Sequence, residues 1–500
     1  MRARSIAVRL LCIAAIGLVF PVSLSATKLF EPAQVYRSDA GGANSIVVAD
    51  LNGDGKPDLV IATGCSSFGC NGGVGVLFGN GDGTFQAAQT LGTGFSYMFA
   101  VAVADVNGDG KPDIIATNGG GYCDPACIDY VVVLLGNGDG TFEAPVSFPS
   151  VYNTSALAVA DVNGDGKPDL LVTSQFADPD RTQDGAVTVF LGNGDGSFGI
   201  GQSYDAGSPS AWATAVGDLN GDGKLDLAVA TSYYLEILLG NGDGSFEMAQ
   251  NTATRISGSI MIADVNADGK ADVLETAGCG IGCKSEVGLL LGNGDGTFQA
   301  EQFTWTGASA ATSPTVADVN GDGIADVIVV HELRGSRQGS PVTVFLGNGD
   351  GTFSDSPRLY SGAAYANSVA TADVNGDGKP DLLIGSQCFS SSDCSTGAVS
   401  VMLGTAGVKT TTTLTSSLNP SSHGQAVTFT ATVTSSGPTP AGNVTFKDGT
   451  KGLKTVVLNG GVAAFTTTKL AVGTHQITAG YKGNFNSAKS TSSVLSQVVQ

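Results

Sequence analysis

Asp50-Leu51-Asn52-Gly53-Asp54-Gly55-Lys56-Pro57-Asp58 runs directly into Leu59-Val60-Ile61-Ala62-Thr63. The first nine residues set side-chain oxygens among glycines, and the next five are apolar and partly β-branched, as a strand requires. The phrase Asp-x-Asn-x-Asp-Gly-x-x-Asp begins again at Asp105, Asp161, Asp218, Asp264, Asp318 and Asp373, at steps of 55, 56, 57, 46, 54 and 55 residues. A second phrase, Leu-Gly-Asn-Gly-Asp-Gly-Thr/Ser-Phe with small variations, ends at Phe85, Phe142, Phe198, Phe246, Phe298 and Phe353.

Between these phrases each repeat offers four short runs, in the first repeat Ser45–Ala49, Leu59–Thr63, Val74–Phe78 and Phe85–Leu91. Short runs bounded by Gly, Asn and Asp are strands. Four-stranded antiparallel units at this period predict an all-β chain built as a β-propeller. A solenoid would need atypical capping repeats, and none is visible. The last repeat stops after Val401-Met402-Leu403-Gly404, one strand short, whereas Phe30-Glu31-Pro32-Ala33-Gln34-Val35-Tyr36 matches Phe85-Gln86-Ala87-Ala88-Gln89-Thr90-Leu91. The amino-terminal segment is therefore expected to supply the missing outer strand, closing seven blades over residues 27–407 without an open edge.

Side-chain oxygens at positions 1, 3, 5 and 9, a main-chain carbonyl at 7 and a glycine at 6 suit a hard, flexible cation. Calcium, which takes 6–8 oxygens, fits better than magnesium. In the first loop the expected ligands are Asp50, Asn52, Asp54, the Lys56 carbonyl and Asp58. The second offers Asp105, Asn107, Asp109, Lys111 and Asp113, and the third Asp161, Asn163, Asp165, Lys167 and Asp169. Asp218, Asn220, Asp222, Lys224 and Asp226 form the fourth set, and Asp264, Asn266, Asp268, Lys270 and Asp272 the fifth. The sixth is Asp318, Asn320, Asp322, Ile324 and Asp326, and the seventh Asp373, Asn375, Asp377, Lys379 and Asp381. About seven calcium ions are expected.

An EF-hand would place Glu at position 12 between two helices, but Ile61 occupies it inside a strand. An Asn/Asp/Gly turn without an ion is the competing reading, and it suits one copy better than seven. Ala267 replaces a glycine in the fifth loop, and Ile324-Ala325 replace Lys-Pro in the sixth, without removing a side-chain donor. The Gly-Asn-Gly-Asp-Gly phrase reads first as a tight hairpin turn, with extra metal contact as the alternative.

Loops and second phrases together resemble the bacterial FG-GAP/VCBS-type repeats, which are similar to the propeller of integrin α chains. The resemblance covers about residues 30–404. It implies a calcium-bound seven-bladed propeller with an extracellular recognition role. Lectin-like relatives and polysaccharide lyases on propellers of this general type leave activity open.

The formal charge of −21 excludes a nucleic-acid binder that works by neutralising phosphate. The seven loops hold 21 of the 45 acidic residues, so the charge belongs mostly to candidate metal sites. Residues 1–26, with Arg2, Arg4 and Arg9 before the apolar run Leu10–Phe20, read as a signal peptide, and a retained anchor is the alternative. No later stretch reaches ~20 apolar residues, so no membrane span is expected, and the protein is expected to be secreted or on the cell surface. Eight cysteines remain in the close pairs Cys65/Cys70, Cys123/Cys127, Cys279/Cys283 and Cys388/Cys394, which suggest disulfides rather than zinc.

From about Val408 the composition turns to Thr, Ser and Val, and roughly seven short strands fit a β-sandwich over residues 408–500. It looks like a bacterial Ig-like domain.

Alternation of loops in an antiparallel blade puts the metal loops and second phrases on one face. The loops of varied length, the cysteine pairs and aromatics including Tyr97, Trp212 and Trp305 fall on the other, which is the expected binding face. These rings either stack on a ligand or pack between blades. His331 beside Glu332, Arg334 and Arg337 offers a base and cations for a lyase, or simply a solvated loop. The leading expectation is a non-enzymatic adhesion or recognition protein for an extracellular glycan or protein. A polysaccharide lyase-like enzyme and a structural cell-surface spacer are the alternatives.

Overall fold

The computed structural model describes residues 29–500 apart from 40, 65–71, 120–128, 177–183, 209, 255–257, 277–284, 334–337, 356–357, 406–408, 438 and 484–486. Residues 1–26, Arg334, Arg337 and the first three cysteine pairs lie outside the described residues.

The described chain is all β. Residues 34–402 form seven antiparallel sheets, six of them from consecutive strands, such as Gly42–Ala49, Asp58–Gly64, Gly73–Leu77 and Gln89–Leu91. The second and third strands are buried almost throughout, because each sheet is covered on both faces by its neighbours. First strands touch one another in succession round the sheets, and the last, Ala364–Ala372, touches the first, Gly42–Ala49. The sheets thus form a closed ring, a β-propeller.

Closure uses the strand expected from the sequence. Gln34–Arg37 pairs antiparallel with Ala398–Met402, and Phe30 bridges Gly404 as Phe85 bridges Gly79. Arg37 fastens the joint: its guanidinium lies 2.9 Å from Asp393, 2.8 Å from the Thr396 hydroxyl and 4.0 Å over the Phe389 ring. Cys388 and Cys394 form a disulfide within the same loop.

The fourth strands are shorter than the sequence runs suggest. Phe85 makes an isolated bridge, and regular pairing resumes at Gln89. Between those points the Gln86 amide donates to the Phe78 carbonyl at 2.8 Å, and residues 87–88 lie outside the ladder.

Residues 410–499 form separate three- and five-stranded sheets. They enclose their own core, which includes Phe429, Val444, Phe446, Ile477 and Tyr481. Their alternating burial, as in Val427–Ser435, is the pattern of a sandwich with one wet face per sheet.

Candidate metal loops and the opposite face

Each Asp-x-Asn-x-Asp-Gly loop is curled by its own side chains. Asp50 accepts hydrogen bonds from the amides of Asp54 and Gly55 at 3.2 and 2.8 Å, Asn52 from Asp54 at 2.9 Å, and Asp54 from Lys56 at 3.0 Å. The same pattern recurs at Asp105, Asn107 and Asp109, at Asp161, Asn163 and Asp165, and at Asp373, Asn375 and Asp377. It also recurs around Asp218, Asn220 and Asp222, around Asp264, Asn266 and Asp268, and around Asp318, Asn320 and Asp322. Gly55 has φ +77°, the left-handed turn that only glycine adopts without strain.

The ninth-position aspartates behave differently. Asp58 is fully buried, and its two oxygens accept from the Leu51 amide at 3.0 Å and the Gly79 amide at 2.8 Å. It joins the metal loop to the second phrase of its own blade, a role the spacing did not reveal. Asp113, Asp169, Asp226, Asp272, Asp326 and Asp381 are buried and bonded alike. Burial raises the pKa of Asp58, the two amides oppose it, and repulsion from Asp54 and Asp50 adds to it. For Asp326 the same balance reaches about 7.

The donor set fits a hard cation: three carboxylates and an amide oxygen lie within one loop, and each carboxylate oxygen has a second lone pair beyond the amide it accepts. Among the described residues, no three carboxylate, thiol or imidazole groups already converge as a ready metal cage. The side chains close instead on the loop amides.

Loops of neighbouring blades interlock on this face. The amide of Gly83 bonds the carbonyl of Val374 at 3.1 Å, Gly196 that of Val106 at 3.0 Å, Gly244 that of Val162 at 3.2 Å and Gly296 that of Leu219 at 3.1 Å. The second phrase is thus a structural joint, as its turn chemistry suggests. Its Asp82 accepts from the amide and hydroxyl of Thr84, which hold the carboxyl below its usual range.

On the opposite face Trp212, Tyr233 and Trp305 remain 41%, 65% and 52% exposed. The Trp212 indole N–H donates to Ser232 at 3.3 Å, and Tyr233 and Tyr234 meet edge-on at 6.5 Å. Tyr97 instead lies against Gly64, where an added Cβ would come within 2.6 Å of the ring. His331 does not serve this face. It is fully buried, with Nδ1 3.3 Å from the Ser309 carbonyl and Nε2 3.0 Å from the Thr343 hydroxyl. Burial pushes it down to about 4, so it is neutral and closed to any polymer.

Comparison with known proteins agrees with this architecture. The FG-GAP-like repeat model matches residues 50–116, 181–229, 218–275, 279–329 and 333–384, and the FG-GAP repeat model matches 99–141 and 153–190. Human integrin alpha-IIb is 25% identical over 295 residues, 53% of this chain and 26% of the integrin. Phosphatidylinositol-glycan-specific phospholipase D of Rattus norvegicus is 29% identical over 169 residues, 30% of this chain and 20% of that enzyme. The chain thus spans only a fifth to a quarter of these relatives. A lectin of Agrocybe aegerita, described as recognising non-reducing terminal N-acetylglucosamine, aligns at TM-score 0.46 and 21% identity over 76% of this chain and 96% of its own. No helix among the described residues is long and apolar enough to cross a membrane. The FG-GAP-like matches take in more than half of the chain, which therefore belongs to the FG-GAP-like repeat family and carries a bacterial Ig-like domain (group 3) over residues 414–500.

Proposed function

We propose that this chain is a secreted or surface-attached recognition protein: a seven-bladed propeller loaded with calcium at its seven loops, binding an extracellular glycan or protein on the opposite face. Each ion is held by the side-chain oxygens of positions 1, 3, 5 and 9 and the carbonyl of position 7, Asp50, Asn52, Asp54, Asp58 and Lys56 in the first loop. The observation that carries the reading is the asymmetry of the two faces. One is consumed by interlocking loops, and the other displays Trp212, Tyr233 and Trp305 on segments that differ from blade to blade.

Exposed aromatic side chains anchored by a polar contact are typical of binding surfaces, where a large flat area is presented at small entropic cost. His331, buried and neutral, withdraws the main support for a lyase reading. The test is a glycan array probed with the full chain, with and without calcium, alongside Trp212→Ala and Trp305→Ala. The expected result is calcium-dependent binding weakened at least ~10-fold by one substitution, the scale of an aromatic hot spot. Binding indifferent to calcium and to both substitutions would remove the reading.

A further inference from the structure

The sixth metal loop is the one that carries no lysine at its seventh position; Ile324 stands there. In five of the other loops that lysine meets the fifth-position aspartate: Lys56 with Asp54 at 3.2 Å, Lys111 with Asp109 at 3.1 Å, Lys167 with Asp165 at 3.8 Å, Lys224 with Asp222 at 3.6 Å and Lys379 with Asp377 at 2.8 Å. The lysine stem also covers a glycine of the second phrase, as Lys56 covers Gly81. Ile324 keeps that packing, against Gly349, but brings no charge.

A cation reaches this loop from the C-terminal domain. Lys482 Nζ donates to the main-chain oxygen of Asn348 at 3.0 Å, within the second phrase of the same blade. Its charge bears on both Asp322 and Asp350. Lys489 lies alongside, its Nζ 3.7 Å from where a Cβ on Gly323 would stand. Burial registers the same cover independently. Asp322 is half-buried, whereas its counterparts Asp54, Asp109, Asp165, Asp222, Asp268 and Asp377 are exposed.

Chain geometry favours such a contact. Strand Ala398–Met402 runs toward the metal-loop face, and only five residues separate Gly404 from Thr410, the first paired residue of the sandwich. At ~3.5 Å per residue that tether spans at most ~20 Å. A short tether gives an effective concentration in the millimolar range, enough to populate a weak contact.

We propose that the sixth loop is the docking seat of the C-terminal domain, which supplies through Lys482, with Lys489 beside it, the cation that the other loops carry themselves. The domain is then held in one orientation over the propeller rather than swinging on its tether. Loss of the loop's own lysine is what makes room for it, since two ammonium groups over one loop would repel.

Small-angle X-ray scattering of the full chain in calcium buffer tests this, with Lys482→Glu/Lys489→Glu reversing charge on the sandwich and Ile324→Lys restoring the common residue on the propeller. Should the double reversal fail to fold, Ile324→Lys alone carries the test. The expected wild-type curve is that of one rigid particle, with a rise in maximum dimension in the variants. A wild-type curve that already requires a flexible ensemble, or folded variants as compact as the wild type, would overturn the proposal.

Discussion

At the scale of single residues, the Asp-x-Asn-x-Asp-Gly phrase is first of all a backbone device. Its fourth position must turn left-handed: φ is 69° at Gly53, 75° at Gly108, 72° at Gly164, 77° at Gly221, 74° at Gly321 and 74° at Gly376. Ala267 is forced to the same 58° and keeps the loop shape against its own Cβ. That conformation costs an ordinary residue ~1–2 kcal/mol, partly offset by the greater freedom of glycine in the unfolded chain. Ala267→Gly is therefore expected to stabilise the protein by ~0.5–1 kcal/mol, read as a higher urea midpoint with unchanged slope. A neutral or lower midpoint would contradict the argument. Space, not φ, fixes the first glycine of the second phrase: a Cβ on Gly79 would stand 2.1 Å from the Pro57 carbonyl oxygen.

At the scale of blades, packing between sheets repeats, and a buried acid interrupts it in the fifth sheet as Glu236 does in the fourth. Glu275 occupies the strand position that holds Ile61, Ala116, Val172, Val229, Val329 and Ile384 in the other repeats. It shares a strand face with Val273, which packs against Ala228, Leu235 and Ile237 of the fourth sheet. Glu275 is fully buried, with the Thr254 side chain beside its carboxyl and opposing the rise in pKa that burial imposes. Burial, reinforced by Glu301, pushes its pKa up to about 8. The folded value lies above the unfolded one, so the fold favours the protonated acid. Its contribution is full below about pH 4.5 and is lost as pH rises toward 8, at up to ~1.4 kcal/mol per pH unit. Glu275→Gln removes that loss. The variant should match the wild type near pH 5 and exceed it increasingly toward pH 8 in denaturant midpoint. Parallel curves for the two proteins would show that Glu275 does not titrate in this window.

At the scale of the whole molecule, the ring brings seven clusters of carboxylates onto one face of a chain with formal charge −21. At ~1 mM calcium and a dissociation constant of ~0.1 mM, each site would add ~1.4 kcal/mol, or ~10 kcal/mol for seven, comparable with the stability of an ordinary domain. Calcium removal with EDTA should therefore lower Tm markedly, and added calcium should restore it. A melting curve indifferent to EDTA would sink the calcium reading while leaving the fold intact.

Much of this was legible in the chain. The nine-residue phrases and the match of Phe30–Tyr36 to Phe85–Leu91 dictated four-stranded units and the strand that closes them, because turn chemistry and alternation are local properties. Local signals could not reveal that Asp58 is a buried clamp on Gly79, that His331 turns inward, that Glu275 is sealed between sheets or that Lys482 reaches the sixth loop. Each depends on which atoms from distant segments come to exclude water around a group, and solvent exclusion is decided only when the sheets stack and the two ends of the ring meet.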